Sequence, residues 1–318
     1  MLPFVALDHH PRKAISSGSR FIVRIEISAR AVVTFVLEPL TWLDMNEVDL
    51  VLKAAFKTSY SRMDNLRRYL DIQPSLALVG KEGDEIIAFG ATRDYGPFAY
   101  IGLMAALPSV QRRGAGRLIL EQILSWLSAR QCATVLLDAS PPGVHLYETH
   151  EFVHIDLTLV FVHPGTNATR TNSSTSTKEF HLGSPSEFGE IVSFDTPFFG
   201  ADRGSLLYSY FEDDPNRFLV SRDAKGRIDG FLTAQQRNIG PWVANDPKVA
   251  EKLLIRALEF NFEEPATVYV SGSNKDCIRL LERKGFQFHR TMRHMCKGKP
   301  LHRARATAIC GEATAGFG

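Results

Sequence analysis

The sequence predicts an α/β protein with mixed sheets, built as two similar domains. Three observations predict it. Short β-branched apolar runs alternate with amphipathic helical patterns along most of the chain. The segment 163–178, HPGTNATRTNSSTSTK, has no apolar periodicity and separates two stretches of similar element order. The fragments 146–152 (LYETHEF) and 280–286 (LLERKGF) align residue for residue. A chain of 318 residues is long enough for two domains, each with its own core. The expected organisation is a dispensable or disordered lead-in over 1–30, a first domain over 31–162 and a linker over 163–178. A second domain over 179–298 and a flexible tail over 299–318 complete it.

In the first half, 32–37 is a β-branched strand and 44–56 and 62–69 are helical patterns. Strands over 76–79 and 85–92 flank the turn Lys81-Glu82-Gly83-Asp84, and 99–107 is another apolar run. In 117–130, Leu118, Ile119, Ile123, Leu124, Trp126 and Leu127 share one face, the mark of a helix packed on a core. A buried strand over 133–138, a short helix over 145–150 and a strand over 152–162 follow. The second half repeats the order. It has a strand at 179–182, a helix at 184–193 capped by Ser184, and strands at 218–221 and 228–233. A long helix at 247–262, a strand at 267–271, a helix at 274–284 stopped by Gly285 and a strand at 286–292 complete it.

Composition excludes several classes. Apolar residues are 44% and charged residues 23%, a globular balance. No apolar run approaches the ~18–20 residues of a membrane span. Thirty-seven Lys and Arg against 35 Asp and Glu leave +2, which gives no general attraction to nucleic acid. Four cysteines without CxxC spacing argue against a disulfide framework or zinc ribbon and fit a reducing, cytoplasmic setting. His145, His150 and His154 lack metal-ligand spacing, so no metal is expected. No secretory signal is evident near the start.

The segment Pro108-Ser109-Val110-Gln111-Arg112-Arg113-Gly114-Ala115-Gly116 lies between an apolar strand and an amphipathic helix. A first helical turn leaves amides without partners, and the helix dipole places partial positive charge there. Gly114 and Gly116 lack a Cβ, so a bulky anion can approach the backbone, and Arg112, Arg113 and Arg117 add positive potential. A Walker loop would need Gly-Lys-Ser/Thr, where Arg117-Leu118 follows Gly116. A dinucleotide fingerprint would need a third glycine, where Ile119 stands. The implied ligand is a diphosphate or similar polyanion.

With strand, loop, helix, strand and short helix in sequence, this region resembles the GCN5-related N-acetyltransferases, the GNAT superfamily. Gln111, Gly114 and Gly116 match its Gln/Arg-x-x-Gly-x-Gly/Ala motif. Tyr147, Glu148 and Phe152 match its Tyr-Glu-x-x-Gly-Phe signature, with Glu151 in place of the glycine. The second half resembles the C-terminal domain of a two-domain subgroup, through Phe199-Gly200-Ala201-Asp202-Arg203, Gly240-Pro241-Trp242-Val243-Ala244, Gly285-Phe286, Arg293 and Met295.

The resemblance implies a tandem GNAT fold in which the second copy is degenerate, since it has no QxxGxG and places Leu281 opposite Tyr147. It implies acetyl-CoA as donor, with the diphosphate on amides of Gln111, Arg112, Arg113, Gly114, Ala115, Gly116 and Arg117. The pantetheine arm would pair with backbone groups of Ala105 and Leu107. Tyr147 stands at the family's general-acid position. The family's frequent strand glutamate is missing from 99–107, which leaves Asp94, Tyr95, Tyr100 and Asp138 as candidates for the base. Asp202 and Arg203 line an acceptor site in one reading; in the other, Asp202 caps a helix and makes an internal ion pair with Arg203 or another partner. The expected activity is N-acetyl transfer to a small-molecule or peptide amine by a monomer or homodimer. A non-catalytic acyl-CoA-binding or regulatory module and a purely structural repeat are the alternatives.

Overall fold

The structure, a computed structural model, describes residues 21–28, 31–165, 187–262, 264–301 and 306–318. Two compact units divide between Val135 and Leu136.

In the first unit the strands β1 (Phe21–Ser28), β2 (Ala31–Pro39), β3 (Ser75–Glu82), β4 (Glu85–Asp94) and β5 (Ala99–Ala106) lie side by side in chain order, all antiparallel. Helices α1 (Met45–Phe56) and α3 (Ala115–Ala129) pack on β4 and β5, and α2 (Met63–Asp71) follows α1 against β3. Of the face predicted for α3, Leu118, Ile119, Ile123 and Leu127 are buried and Leu124 and Trp126 half-buried; Leu120, outside that face, is buried as well. One expectation is corrected. Residues 21–28 fall in the predicted lead-in, yet they pair with β2 from Phe21↔Leu37 onward. The overlooked signal is the alternation of Phe21, Val23, Ile25 and Ile27 with Arg24, Glu26 and Ser28.

β4 and β5 part from regular pairing at one place. Phe89 faces Ala105 and Ala91 faces Gly102, so Gly90 stands against both Leu103 and Met104, a bulge. Leu103 takes a left-handed φ of 56°. Gly90 makes room for it: a Cβ there would overlap Met104 Sδ and lie 2.6 Å from Ile119 Cγ2 of α3.

The second unit carries two sheets. One runs β6 (Thr134–Ala139, which the division crosses), β12 (Gln287–Gly298), β7 (Val153–Val162), β11 (Thr267–Ser271). The other runs β13 (Ile309–Gly311), β10 (Ile239–Ala244), β9 (Ile228–Ala234), β8 (Phe218–Arg222). The helices are α4 (Val144–Glu148), α5 (Phe188–Phe199), α6 (Gly204–Asp213), α7 (Pro247–Ala257) and α8 (Lys275–Arg283). A core of Trp242, Leu253, Leu254, Val268, Leu281 and Phe286 joins α7 and α8 to the strands.

The strands are not sorted as two self-contained repeats. β12 belongs to the end of the second half, yet it inserts between β6 and β7. β7 pairs with β12 on one edge and β11 on the other, both antiparallel, so all its neighbours come from the second half. Helix α6 is absent from the sequence expectations, and α5 starts at Phe188 and runs on through Pro197. The predicted strand at 179–182, the Ser184 cap and linker residues 166–178 lie outside the described residues.

The expected flexible tail is a second correction. Ile309 and Gly311 pair with Val243 and Trp242. The Asn274 side chain donates to the Thr307 and Ile309 carbonyls, each at 2.8 Å, while its Oδ1 caps α8 at the Cys277 amide. Ala308, Ile309, Cys310 and Phe317 are buried, and these scattered apolar residues hold a segment that is otherwise small and polar.

Candidate active site

In the first unit the chain leaves β5 at Leu107, makes one 3-10 turn over Pro108–Val110, and enters α3. Two residues bend it: Arg112 at φ 66° and Gly114 at φ 96°, both left-handed. Gly114 is the α3 N-cap and offers no side-chain oxygen to the first turn. Among the described residues, the amides of Gly114, Ala115, Gly116 and Arg117 find no protein acceptor. Such a cluster carries the dipole's partial positive charge. Ala115 is buried, Gly114 and Gly116 half-buried, and Arg117 exposed, so the turn opens outward.

The side chains divide in a way the sequence does not announce. Gln111 points back, and its Nε2 donates to the Ala106 carbonyl at 3.1 Å, tying the loop to the strand it leaves. Arg113 is turned away from the loop mouth: its Nη2 bonds Glu82 at 2.8 Å and its guanidinium lies over the Phe35 ring. Arg112 and Arg117 are exposed, and Arg117 sits 3.8 Å from Glu121 one turn along α3. The positive side chains at the mouth are therefore Arg112 and Arg117.

β5 is buried from Ala99 to Gly102 and half-buried from Leu103 to Ala106. The expected pairing through Ala105 and Leu107 is corrected by the register. The Leu107 amide donates to Ile87 of the segment paired on the β4 side, at 2.9 Å, and its carbonyl accepts from Val110. Polar groups alternate edges along an extended strand, so Ala105 also faces β4 and Ala106 turns to the other edge.

In the second unit Tyr147 is buried on α4, its ring edge-on to Phe152 with centroids 5.8 Å apart. Burial pushes the phenol well above its ordinary pKa, which keeps its proton in place. After α4 the chain turns at Glu151 with φ 65°. The left-handed exit for which the family uses glycine is kept by a glutamate. Lys297 braces that exit, donating to the His150 carbonyl at 3.1 Å and pairing with the Glu151 carboxylate, which it holds below its ordinary pKa.

Arg203 does not line an acceptor site. Its Nε and Nη2 grip both oxygens of Asp195 at 2.7 and 2.9 Å, Nη1 reaches the Gly318 carbonyl at 3.3 Å, and the guanidinium stacks on Phe199. Arg203 and Asp195 are each only 1% exposed. Asp202 accepts from the amide of Gly204, the first residue of α6, at 2.7 Å, while Arg203 holds the N-cap position. Their pattern in the sequence marks a buried joint between α5, α6 and the C-terminus.

Three of the four candidate bases are likewise committed. Asp94 holds Arg130 at 2.7 Å and the Gly96 amide at 2.8 Å; Tyr95 packs on Phe98; Tyr100 is fully buried. Asp138 is different. Its Oδ1 accepts from Thr158 Oγ1 at 2.7 Å and lies 3.0 Å from His294 Nδ1. The sequence gives no hint of His294, because 156 positions separate it from its partner. His150 makes local bonds at the end of α4, and among the described residues no group of three or more acidic, Cys or His side chains is placed to hold a metal.

The bulged strand, the uncapped glycine turn and the long helix after it follow the strand–loop–helix order expected of an acetyltransferase. Family comparisons agree. Residues 45–152 match the acetyltransferase (GNAT) family and residues 191–311 an acetyltransferase (GNAT) domain, so the chain belongs to the GNAT acetyltransferases and carries two such domains. A putative acetyltransferase from Pyrococcus horikoshii superposes with a TM-score of 0.76 over 98% of this chain and 100% of its own, at 21% identity. A GCN5-related N-acetyltransferase from Sphaerobacter thermophilus gives 0.64 over 85% and 98%, at 14% identity. A tandem GNAT protein from the clavulanic acid biosynthesis pathway gives 0.54 over 84% and 99%, at 13% identity. At these identities the likeness is one of fold. No curated protein matches the sequence. Among the described residues no helix is long and apolar enough to cross a membrane.

Proposed function

We propose that this protein is an acetyl-CoA-dependent N-acetyltransferase that moves the acetyl group directly to a primary amine of a small molecule or peptide. The observation that carries the reading is the row of unpartnered amides from Gly114 to Arg117 at an open, left-handed helix entry. A diphosphate supplies the acceptor oxygens those amides lack, and Arg112 and Arg117 add charge at its rim. GNAT proteins generally take acetyl-CoA as the donor, whose thioester supplies the activated acyl group.

The chain's own groups then have defined tasks. The Ala106 amide, rather than Ala105 or Leu107, meets the extended pantetheine arm, while the Ala106 carbonyl is held by Gln111. The bulge at Leu103 and Met104 releases an amide from the ladder to β4, and that amide receives the negative charge that develops on the acyl oxygen. Tyr147 holds its proton until the sulfur departs and donates it then. The left-handed exit at Glu151 keeps α4 and Phe152 in the family's arrangement, which removes one reason to read the protein as a binding module without turnover.

Calorimetric titration with acetyl-CoA, followed by a thiol-release assay across amines, amino acids and peptides, tests the reading. Saturable binding and amine-dependent thiol release are expected. Binding without release with every amine leaves the regulatory module, and no binding returns the protein to a structural repeat.

A further inference from the structure

We propose that His294 is the general base that takes the proton from the acceptor amine, with Asp138 as the residue that positions it; this rests on the transferase reading above. Three strands assemble the group. Asp138 lies near the end of β6, Thr158 lies in β7, and His294 comes from β12, the strand that inserts between them. The Asp138 side chain is 1% exposed and His294 15%, so a buried carboxylate backs an imidazole that still reaches solvent. Both Thr158 Oγ1 and His294 Nδ1 converge on the same carboxylate oxygen. That bond fixes the ring and its tautomer: Nδ1 carries the hydrogen donated to Asp138, and Nε2 carries the lone pair. A base oriented by a buried carboxylate is a recurring solution to proton abstraction.

The setting ties this pair to the helix that carries Tyr147. Arg293, beside His294, bonds Glu148 at 3.1 Å, and Lys297 reaches the His150 carbonyl. β12 is thus laced along α4 and its exit. The β7–β12 register slips between His294 and Met295, so β7 carries an extra residue, Ile155, next to the imidazole. Bulges beside active sites commonly re-aim a side chain. The inserted strand therefore brings a base to the half that carries the acid but lacks the family's strand glutamate.

Nε2 of His294 takes a proton from the ammonium, and the freed nitrogen forms the C–N bond. The C–S bond breaks and the sulfur takes the Tyr147 proton. The adduct's second nitrogen proton passes through solvent to reset Tyr147, and His294 gives its own to solvent.

The test compares wild type with His294→Gln and Asp138→Asn in full-length protein, with acetyl-CoA affinity and melting temperature measured alongside the rate. The charged groups that face His294 are Asp138 of β6, which its ring meets, and Asp156 of β7, its partner in the ladder; Asp156 is itself held by Ser271 and the Leu157 amide, while the neighbouring Arg293 leaves the strand on the other face, paired with Glu148 of α4. His294→Gln is expected to lower kcat at pH 7 by about 10²–10³-fold with acetyl-CoA affinity unchanged, and to abolish the acidic limb of the pH–rate profile. Asp138→Asn keeps the side-chain shape; it is expected to lower kcat at least tenfold and to displace that limb, and it carries the test if the glutamine variant does not fold. A His294→Gln protein within threefold of wild type, with the limb in place, overturns the assignment and leaves the transferase reading standing. Wild-type protein that neither binds acetyl-CoA nor releases thiol overturns both.

Discussion

Glu151 and Gly285 leave aligned helices in the same left-handed conformation, with φ of 65° and 84°. Each amide donates to the carbonyl three residues back, Glu148 and Glu282, at 3.1 Å, and the next residue, Phe152 or Phe286, reaches back to Tyr147 or Leu281. One copy meets the αL requirement with glycine and the other with a glutamate braced by Lys297. Gly285→Ala is expected to cost about 1–2 kcal/mol from backbone strain alone, since its Cβ would stand an ordinary 3.7 Å from His163. Glu151→Gly is expected to raise the melting temperature, because relief of strain outweighs an exposed ion pair. Thermal unfolding of the two variants checks both directions.

Gly90 is the only residue type that fits between Met104 and Ile119. Gly90→Ala is expected to destabilise the first unit by about 1–3 kcal/mol through overpacking. It should also lower turnover more than acetyl-CoA affinity, because the bulge it displaces presents the oxyanion amide rather than the phosphate turn. Denaturant unfolding and steady-state kinetics on the same preparation separate the two effects.

Tyr147→Phe is expected to reduce kcat about 10–100-fold while leaving acetyl-CoA affinity within threefold. The same variant has a stability signature. Burial raises the folded-state pKa of the phenol, so its contribution is complete below the unfolded value of ~10 and is lost as pH rises beyond it. Above pH 10 the phenylalanine variant should therefore outlast wild type, as alkaline unfolding curves would show.

What the sequence makes legible is local. The Gln111–Gly116 turn, α3 and the strands around it follow from periodicity and glycine placement within some thirty residues. The Leu146–Phe152 repeat likewise reappears as matching backbone bonds. Strand exchange is not legible, because β7 and β12 have the same alternation whichever strands they join. His294 is hidden for that reason: its meaning depends on β12 lying beside β6. Asp202 and Arg203 attract attention as charges in a compact block, yet burial of Arg203 against Asp195 decides its role. The tail conceals its order because Ile309, Cys310 and Phe317 are spaced among small residues.

Removing one partner of the Asp195–Arg203 pair leaves the other charge buried. Arg203→Met is expected to cost about 3–5 kcal/mol, and Asp195→Leu combined with Arg203→Met markedly less than the sum of the singles. Where the variants remain folded, the KM for acceptor amine should match wild type. A large rise in that KM without loss of stability would return Arg203 to the acceptor site.

Open amides at the α3 entry grip the donor's diphosphate in the function proposed above. The most direct measurement is acetyl-CoA binding by calorimetry to Gly116→Leu, with melting temperature followed in parallel. Position 116 is helical, so leucine suits the backbone while covering the amides. Affinity at least 100-fold weaker is expected, with melting within a few degrees of wild type. A folded Gly116→Leu protein that binds acetyl-CoA as tightly as wild type would contradict it.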